Sequence, residues 1–175
     1  MGKRERGSWI ELEFGSQYLV KNDLEKAFKV FIDKILSGAD GLCITREHPA
    51  KVKRRYGLES TPVVWLTAER TEGHQTVDSL IDLSILIGDF LHRAKRGVVL
   101  LDGFEYLITN HGFNPFIKFL QFIRSRFERS NSILIAPLLE GTLDMKEERL
   151  IEREMRPLTM SNELSGKSGL TVLAK

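Results

Sequence analysis

Tyr18-Leu19-Val20-Lys21-Asn22-Asp23-Leu24-Glu25-Lys26-Ala27-Phe28 changes its hydrophobic period midway, and that change decides the fold. The first three residues are apolar without a break, as in a strand covered on both faces. From Leu24 onward Ala27, Phe28, Phe31, Ile32 and Ile35 fall on one helical face, with Asn22 or Asp23 as the cap and Ser37-Gly38 as the stop. A strand running into a helix is where an α/β domain cradles phosphate, given inward-turned backbone N–H groups, the glycines that permit them and a lysine at the helix start. Here the connection is only Lys21-Asn22, and no glycine lies between Gly15 and Gly38.

Four more short apolar runs follow, at about 41–45, 62–66, 97–101 and 132–136. Helical patterns fill 48–55, 76–94, 114–129 and 144–155. Strands alternating with helices at this spacing predict a right-handed βαβ series, hence a three-layer αβα sandwich on a mostly parallel sheet of about five strands. Upstream, Ile10, Leu12 and Phe14 alternate with Trp9, Glu11 and Glu13 before Gly15-Ser16, which suits an added N-terminal hairpin strand. The chain reads as one domain over 1–156. A mobile tail over 157–175 carries an edge strand at Leu170–Leu173.

Composition narrows the function classes. A chain of 175 residues that is 42% hydrophobic can bury its own core. Its net charge of +2 does not by itself call for a polyanion. The single cysteine, Cys43, sits in an apolar run, so disulfides are not the stabilising device. No apolar run reaches a membrane span, and the reading is a soluble, cytoplasmic protein. The high charged fraction beside few Asn and Gln resembles thermophile composition.

Open parallel sheets bind ligands at the carboxyl ends of their strands. Asp102, closing Val98-Val99-Leu100-Leu101, is the candidate metal-holding carboxylate, and Glu47, after Ile44-Thr45, is the candidate to polarise a water. Each also reads simply as a solvated strand end. Gly166-Lys167-Ser168 matches the close of a phosphate loop, but Ser161 stands where the first glycine belongs and no helix can follow. The four histidines lack ligand spacing, and no nucleophile elbow is present.

Two surfaces remain as candidates for partners. Lys51, Lys53, Arg54 and Arg55, beside Tyr56, could track a single-stranded nucleic acid and stack a base. On the 114–129 helix Phe113, Phe116, Ile117, Leu120, Ile123 and Phe127 form a stripe for the sheet. Phe119 and Phe122 widen that arc, as an interaction surface or as deeper burial under the last helix.

Gly41-Leu42-Cys43-Ile44-Thr45-Arg46-Glu47-His48-Pro49, Tyr56-Gly57-Leu58, Thr61-Pro62-Val63-Val64-Trp65-Leu66-Thr67 and Leu101-Asp102-Gly103-Phe104-Glu105-Tyr106-Leu107-Ile108 together resemble the archaeal domain-of-unknown-function family 835, over about residues 17–155. That family is similar to the core of RecA and of the circadian-clock KaiC ATPases. The resemblance implies that Glu47 matches the first of paired catalytic glutamates and Asp102 the metal-binding aspartate. His48 replaces the second glutamate, and Lys26 is the only echo of the loop lysine. It implies a degenerate nucleotide site, with no cofactor expected and Mg-nucleotide as the alternative. The working expectation is a non-catalytic domain that contacts a protein partner or itself. Alternatives are a recombinase-paralogue-like accessory on single-stranded nucleic acid and a residual Mg-NTP binder.

Overall fold

The computed structural model describes residues 12–158. Within them a parallel sheet of seven strands carries helices on both faces. The elements are β1 (Gln17–Lys21), α1 (Leu24–Leu36), β2 (Asp40–Thr45), α2 (Pro49–Tyr56), β3 (Val63–Leu66), β4 (Thr76–Val77), α3 (Leu80–Arg93), β5 (Gly97–Leu101), α4 (Phe104–His111), α5 (Phe113–Glu128), β6 (Ser132–Leu138), α6 (Met145–Glu154) and β7 (Arg156–Pro157). The strand order is β4-β3-β2-β5-β6-β1-β7.

The uninterrupted apolar runs are explained by burial on two sides. In β5, Val98 and Leu100 face the core under α1 and α2, whereas Val99 and Leu101 face the core shared by α3, α4, α5 and α6. Phe28 and Phe31 fill the first layer, and Phe104, Phe116 and Phe127 the second. All are fully buried. Burying such side chains from water is the main driving force of the fold, at about 2 kcal/mol each.

The sheet has seven strands where about five were expected, because two edge strands of two residues each escape a periodicity reading. β4 pairs with β3 through Trp65↔Thr76 and Leu66↔Val77, and β7 pairs with β1 through Tyr18↔Arg156 and Leu19↔Pro157. The helix expected from residue 76 therefore begins at Leu80, where Ser79 caps it by accepting the Asp82 N–H at 3.0 Å. α4 was not foreseen as a separate helix. Gly112, at φ +86°, breaks what would otherwise be one long helix into α4 and α5.

The hairpin does not form among the described residues. Both neighbours of β1 are parallel, and residues 12–16 make a turn in which Gly15 (φ +87°) donates to the Ser132 carbonyl at 2.8 Å. Leu12 and Phe14 alternate because they cover the α1 side of the core. The expected edge strand at 170–173 and the Gly166-Lys167-Ser168 match lie outside the described residues, as do Trp9 and Ile10. No described helix is long and apolar enough to cross a membrane.

Candidate functional site

Ligand crevices in open sheets open where neighbouring strands send their connections to opposite faces. α1 and α2 lie on one face, and α3 to α6 on the other. Two such crevices result: one between β1 and β6, the other between β2 and β5.

The β1/β6 crevice is where a phosphate loop would lie, and it is closed. Lys21 is ion-paired with Glu152 of α6, and that hydrogen bond is the main cause raising its pKa above the ordinary lysine value. Asn22 adopts the left-handed conformation (φ +60°), which asparagine tolerates better than other side chains with a Cβ. Its N–H donates to the Leu138 carbonyl at 2.9 Å, and its side-chain oxygen accepts the Glu140 N–H at 2.6 Å. The turn thereby bridges β1 to the loop after β6. Asp23 then caps α1, its carboxylate accepting the Lys26 N–H at 2.9 Å. The helix N-terminus that would attract phosphate already holds a fixed carboxylate.

The β2/β5 crevice holds the two sequence-predicted carboxylates. Ile44 and Leu101 are in register, so Thr45 and Asp102 emerge side by side. The Thr45 hydroxyl donates to Asp102 Oδ2 at 3.0 Å and accepts the Glu47 N–H at 3.1 Å. Thr45 is fully buried, and Asp102 and Glu47 are half-buried. Burial is the first cause pushing the Asp102 carboxyl up to about 6. The Thr45 hydrogen bond opposes it, Glu105 and Glu47 add to it, and Arg46 lowers it. Among the described residues no three His, Cys, Asp or Glu side chains are grouped to hold a metal ion. Cys43, buried on β2, has its thiol pushed far up, chiefly by burial, so it is not poised as a nucleophile.

Sequence reasoning missed what stands over this crevice. The Arg46 guanidinium lies 3.8 Å from the Tyr106 ring centre and donates to the Leu66 carbonyl. The Arg46 carbonyl accepts the Trp65 indole N–H at 3.2 Å, and the Tyr106 hydroxyl donates to Asp78 at 2.7 Å. Gly103 (φ +150°) makes this approach feasible, since a Cβ there would run into the Leu66 side chain and come within 3.2 Å of Arg46 Cγ. Nothing in the local pattern signals a stack between residues sixty apart. His48 is a helix cap, its Nδ1 accepting the Ala50 N–H, with its ring against Trp65 and His74.

The basic cluster divides. Arg55 and the Tyr56 hydroxyl both bind Glu25 of α1, and Tyr56 stacks flat on Phe28 at 4.0 Å. Burial first, then the Glu25 hydrogen bond, pushes the Tyr56 phenol up to about 12. Those two residues are occupied in joining α2 to α1. Lys51, Lys53 and Arg54 make no ion pair among the described residues. The proposed phenylalanine pair also divides. Phe119 is not a surface residue: it is 5% exposed, packed beside Phe116 in the core, because α5 is flanked by both α3 and α6. Phe122 is 47% exposed. Its exposed neighbours are Ile81 and Ile85 of α3, which the sequence reading passed over. Their signal was present, since both lie off the Leu83, Ile87, Leu91 stripe that faces the core.

The architecture defines a three-layer α/β protein with a parallel sheet and strand-end carboxylates. Residues 20–155 match the model of the family described as Protein of unknown function (DUF835), and the chain belongs to that family. No curated protein matches it in sequence. Among solved structures it is similar to a Pyrococcus horikoshii OT3 protein from a structural study under Project ID PH0250, with a TM-score of 0.56 and 10% identity. That match covers 86% of this chain and 85% of the other. At this identity the likeness concerns the fold alone.

Proposed function

We propose that this chain is a non-catalytic domain of RecA/KaiC-like type that works by contact with a protein, in a regulatory or signalling role. The observation that carries this reading is the closed β1–α1 connection. Asn22 is tied to Leu138 and to the loop after β6, Lys21 is paired with Glu152 of α6, and the carboxylate of Asp23 occupies the α1 N-terminus. A nucleotide would have to displace that carboxylate and would meet no run of inward N–H groups. Asp102 and Glu47 then serve the strand ends: Asp102 accepts the Thr45 hydroxyl, and Glu47 turns the chain toward α2.

Thermal unfolding with Mg-ATP, Mg-GTP and a short single-stranded oligonucleotide, at low and physiological salt, tests it. No shift with any nucleotide is expected, because only a ligand that binds the folded state raises its stability. A shift lost in Asp102→Ala would overturn the reading in favour of residual Mg-NTP binding.

A second reading, an accessory that binds single-stranded nucleic acid, rests on Lys51, Lys53 and Arg54 standing without ion partners near the Trp65, His48 and His74 rings. It requires stabilisation by the oligonucleotide at low salt that falls steeply as salt rises. An unchanged melting temperature at low salt removes it.

A further inference from the structure

α3 and α5 pack side by side on the outer layer of the sandwich, and between them runs a groove of about 430 Å³. Its apolar lining is Ile81 and Ile85 from α3 and Phe122 from α5, exposed by 74%, 56% and 47%. Three large apolar side chains grouped in one groove make it a candidate contact surface. Charge is sorted along the same surface. The outward acids, Asp82 and Asp89, are on α3, whereas the outward bases Lys118 and Arg126 are on α5. None of the four makes an ion pair among the described residues.

The two helices run in the same direction, because each returns the chain between parallel strands, α3 from β4 to β5 and α5 from β5 to β6. Their levels follow. The Arg126 guanidinium reaches across the groove to the level of Gly88 and Asp89, since a Cβ on Gly88 would come within 2.6 Å of its Nη1, and it lies 4.7 Å from the Phe122 ring centre. Phe122 lines the groove with Ile85. Helix periodicity sets Lys118 one turn before Phe122 on α5, as it sets Ile81 and Asp82 one turn before Ile85 on α3.

We infer that this face binds a second copy of the same chain, with α3 of each copy lying on α5 of the other. The inference rests on the reading of the chain as a contact domain and names its partner. Charge selects both the occupant and the arrangement. Two copies can meet face to face about a two-fold axis in two ways. An axis across the helices sets α3 on α3, which brings Asp89 over Asp82 and Arg126 over Lys118, like charge on like. An axis along the helices sets α3 on α5, so that Asp89 meets Arg126, Asp82 meets Lys118, and Ile85 meets Phe122 between them. Only the second is complementary at both ends, and oppositely charged rims around an apolar centre fix register as well as partner.

Sedimentation velocity of the full chain from about 1 to 200 μM, with Phe122→Glu and a charge pair, tests this. A concentration-dependent dimer is expected, with Phe122→Glu monomeric throughout while keeping its circular dichroism spectrum and the melting temperature that the wild type has when dilute and monomeric. Asp89→Arg is expected to weaken the dimer at least tenfold, and Asp89→Arg with Arg126→Asp to restore it. Cys43 is buried, so thiols placed by Ile85→Cys and Phe122→Cys report contacts directly. Mixing the two single variants should give an 85–122 disulfide and no 85–85 or 122–122 product. A wild-type monomer at every concentration, a dimer that survives Phe122→Glu, or an 85–85 or 122–122 cross-link would each overturn the inference. Those outcomes are separate from nucleotide binding, which overturns the contact reading instead.

Discussion

The two crevices of the sheet were built from the same ingredients and ended differently. At β1/β6 a polar turn folds back on the loop after β6, and each polar group there has a close partner: Lys21 with Glu152, Asn22 with Leu138 and Glu140, Asp23 with Lys26. At β2/β5 a carboxylate is kept from water by the chain around it, with one hydroxyl for a hydrogen bond. A crevice whose polar groups satisfy one another is finished structure. A crevice that holds a carboxyl near neutrality is under electrostatic load, which is how working sites also look. The load at Asp102 comes first from burial, so a perturbed carboxyl at a strand end does not by itself make a catalyst.

The largest effect should come from the backbone that lets α4 approach the second crevice. Gly103→Ala places a Cβ into Leu66 at a φ that side chains rarely adopt, and should cost about 3 kcal/mol in urea unfolding. Next is Asp102→Asn, which should stabilise the protein at pH 8 by about 2 to 3 kcal/mol and leave it nearly unchanged at pH 4. The sign follows from the raised pKa. The folded chain binds the Asp102 proton more tightly than the unfolded chain does, so stability falls as pH rises from about 4, near the ordinary 3.8, to about 6 and is level above that. Melting curves across pH 3.5–8 for both proteins would show it, and parallel curves would mean that Asp102 is solvated. The smallest effect belongs to the first crevice. Asp23→Ala should lose about 1 kcal/mol, as a lost helix cap does, whereas Asp23→Ser should lose only a fraction of that.

The same contrast explains how far the sequence could be read. Strands buried on both faces announce themselves, and β2, β3 and β5 lie within a residue of the apolar runs at 41–45, 62–66 and 97–101. β6 runs on through Pro137 to Leu138, because β1 continues beside it as far as Lys21. The two-residue edge strands β4 and β7 were invisible, since they are defined by pairing and not by any pattern of their own. At the sites, the missing glycines showed that β1 leads into α1 without a phosphate-type loop, but not how Asn22 ties that turn to the loop after β6. Asp102 and Glu47 were legible as strand ends. The Arg46–Tyr106 stack was not, because its partners come from separate elements. For Phe119 and Phe122 the sequence left an interaction surface and burial under the last helix both open, because a helical wheel cannot show how far α6 covers α5. Phe119 is the buried one and Phe122 the exposed one.

The closed crevice can be probed residue by residue, with a nitrogen-15 spectrum of the protein titrated with Mg-ATP to millimolar concentration. The amides of Asn22 to Ala27, at the head of α1, should stay in place, with Asp102 and Glu47 equally unmoved. Saturable shifts centred on Asn22 to Ala27 would mean that the Asp23 carboxylate gives way to phosphate, and the account of a domain that works by contact alone would be wrong.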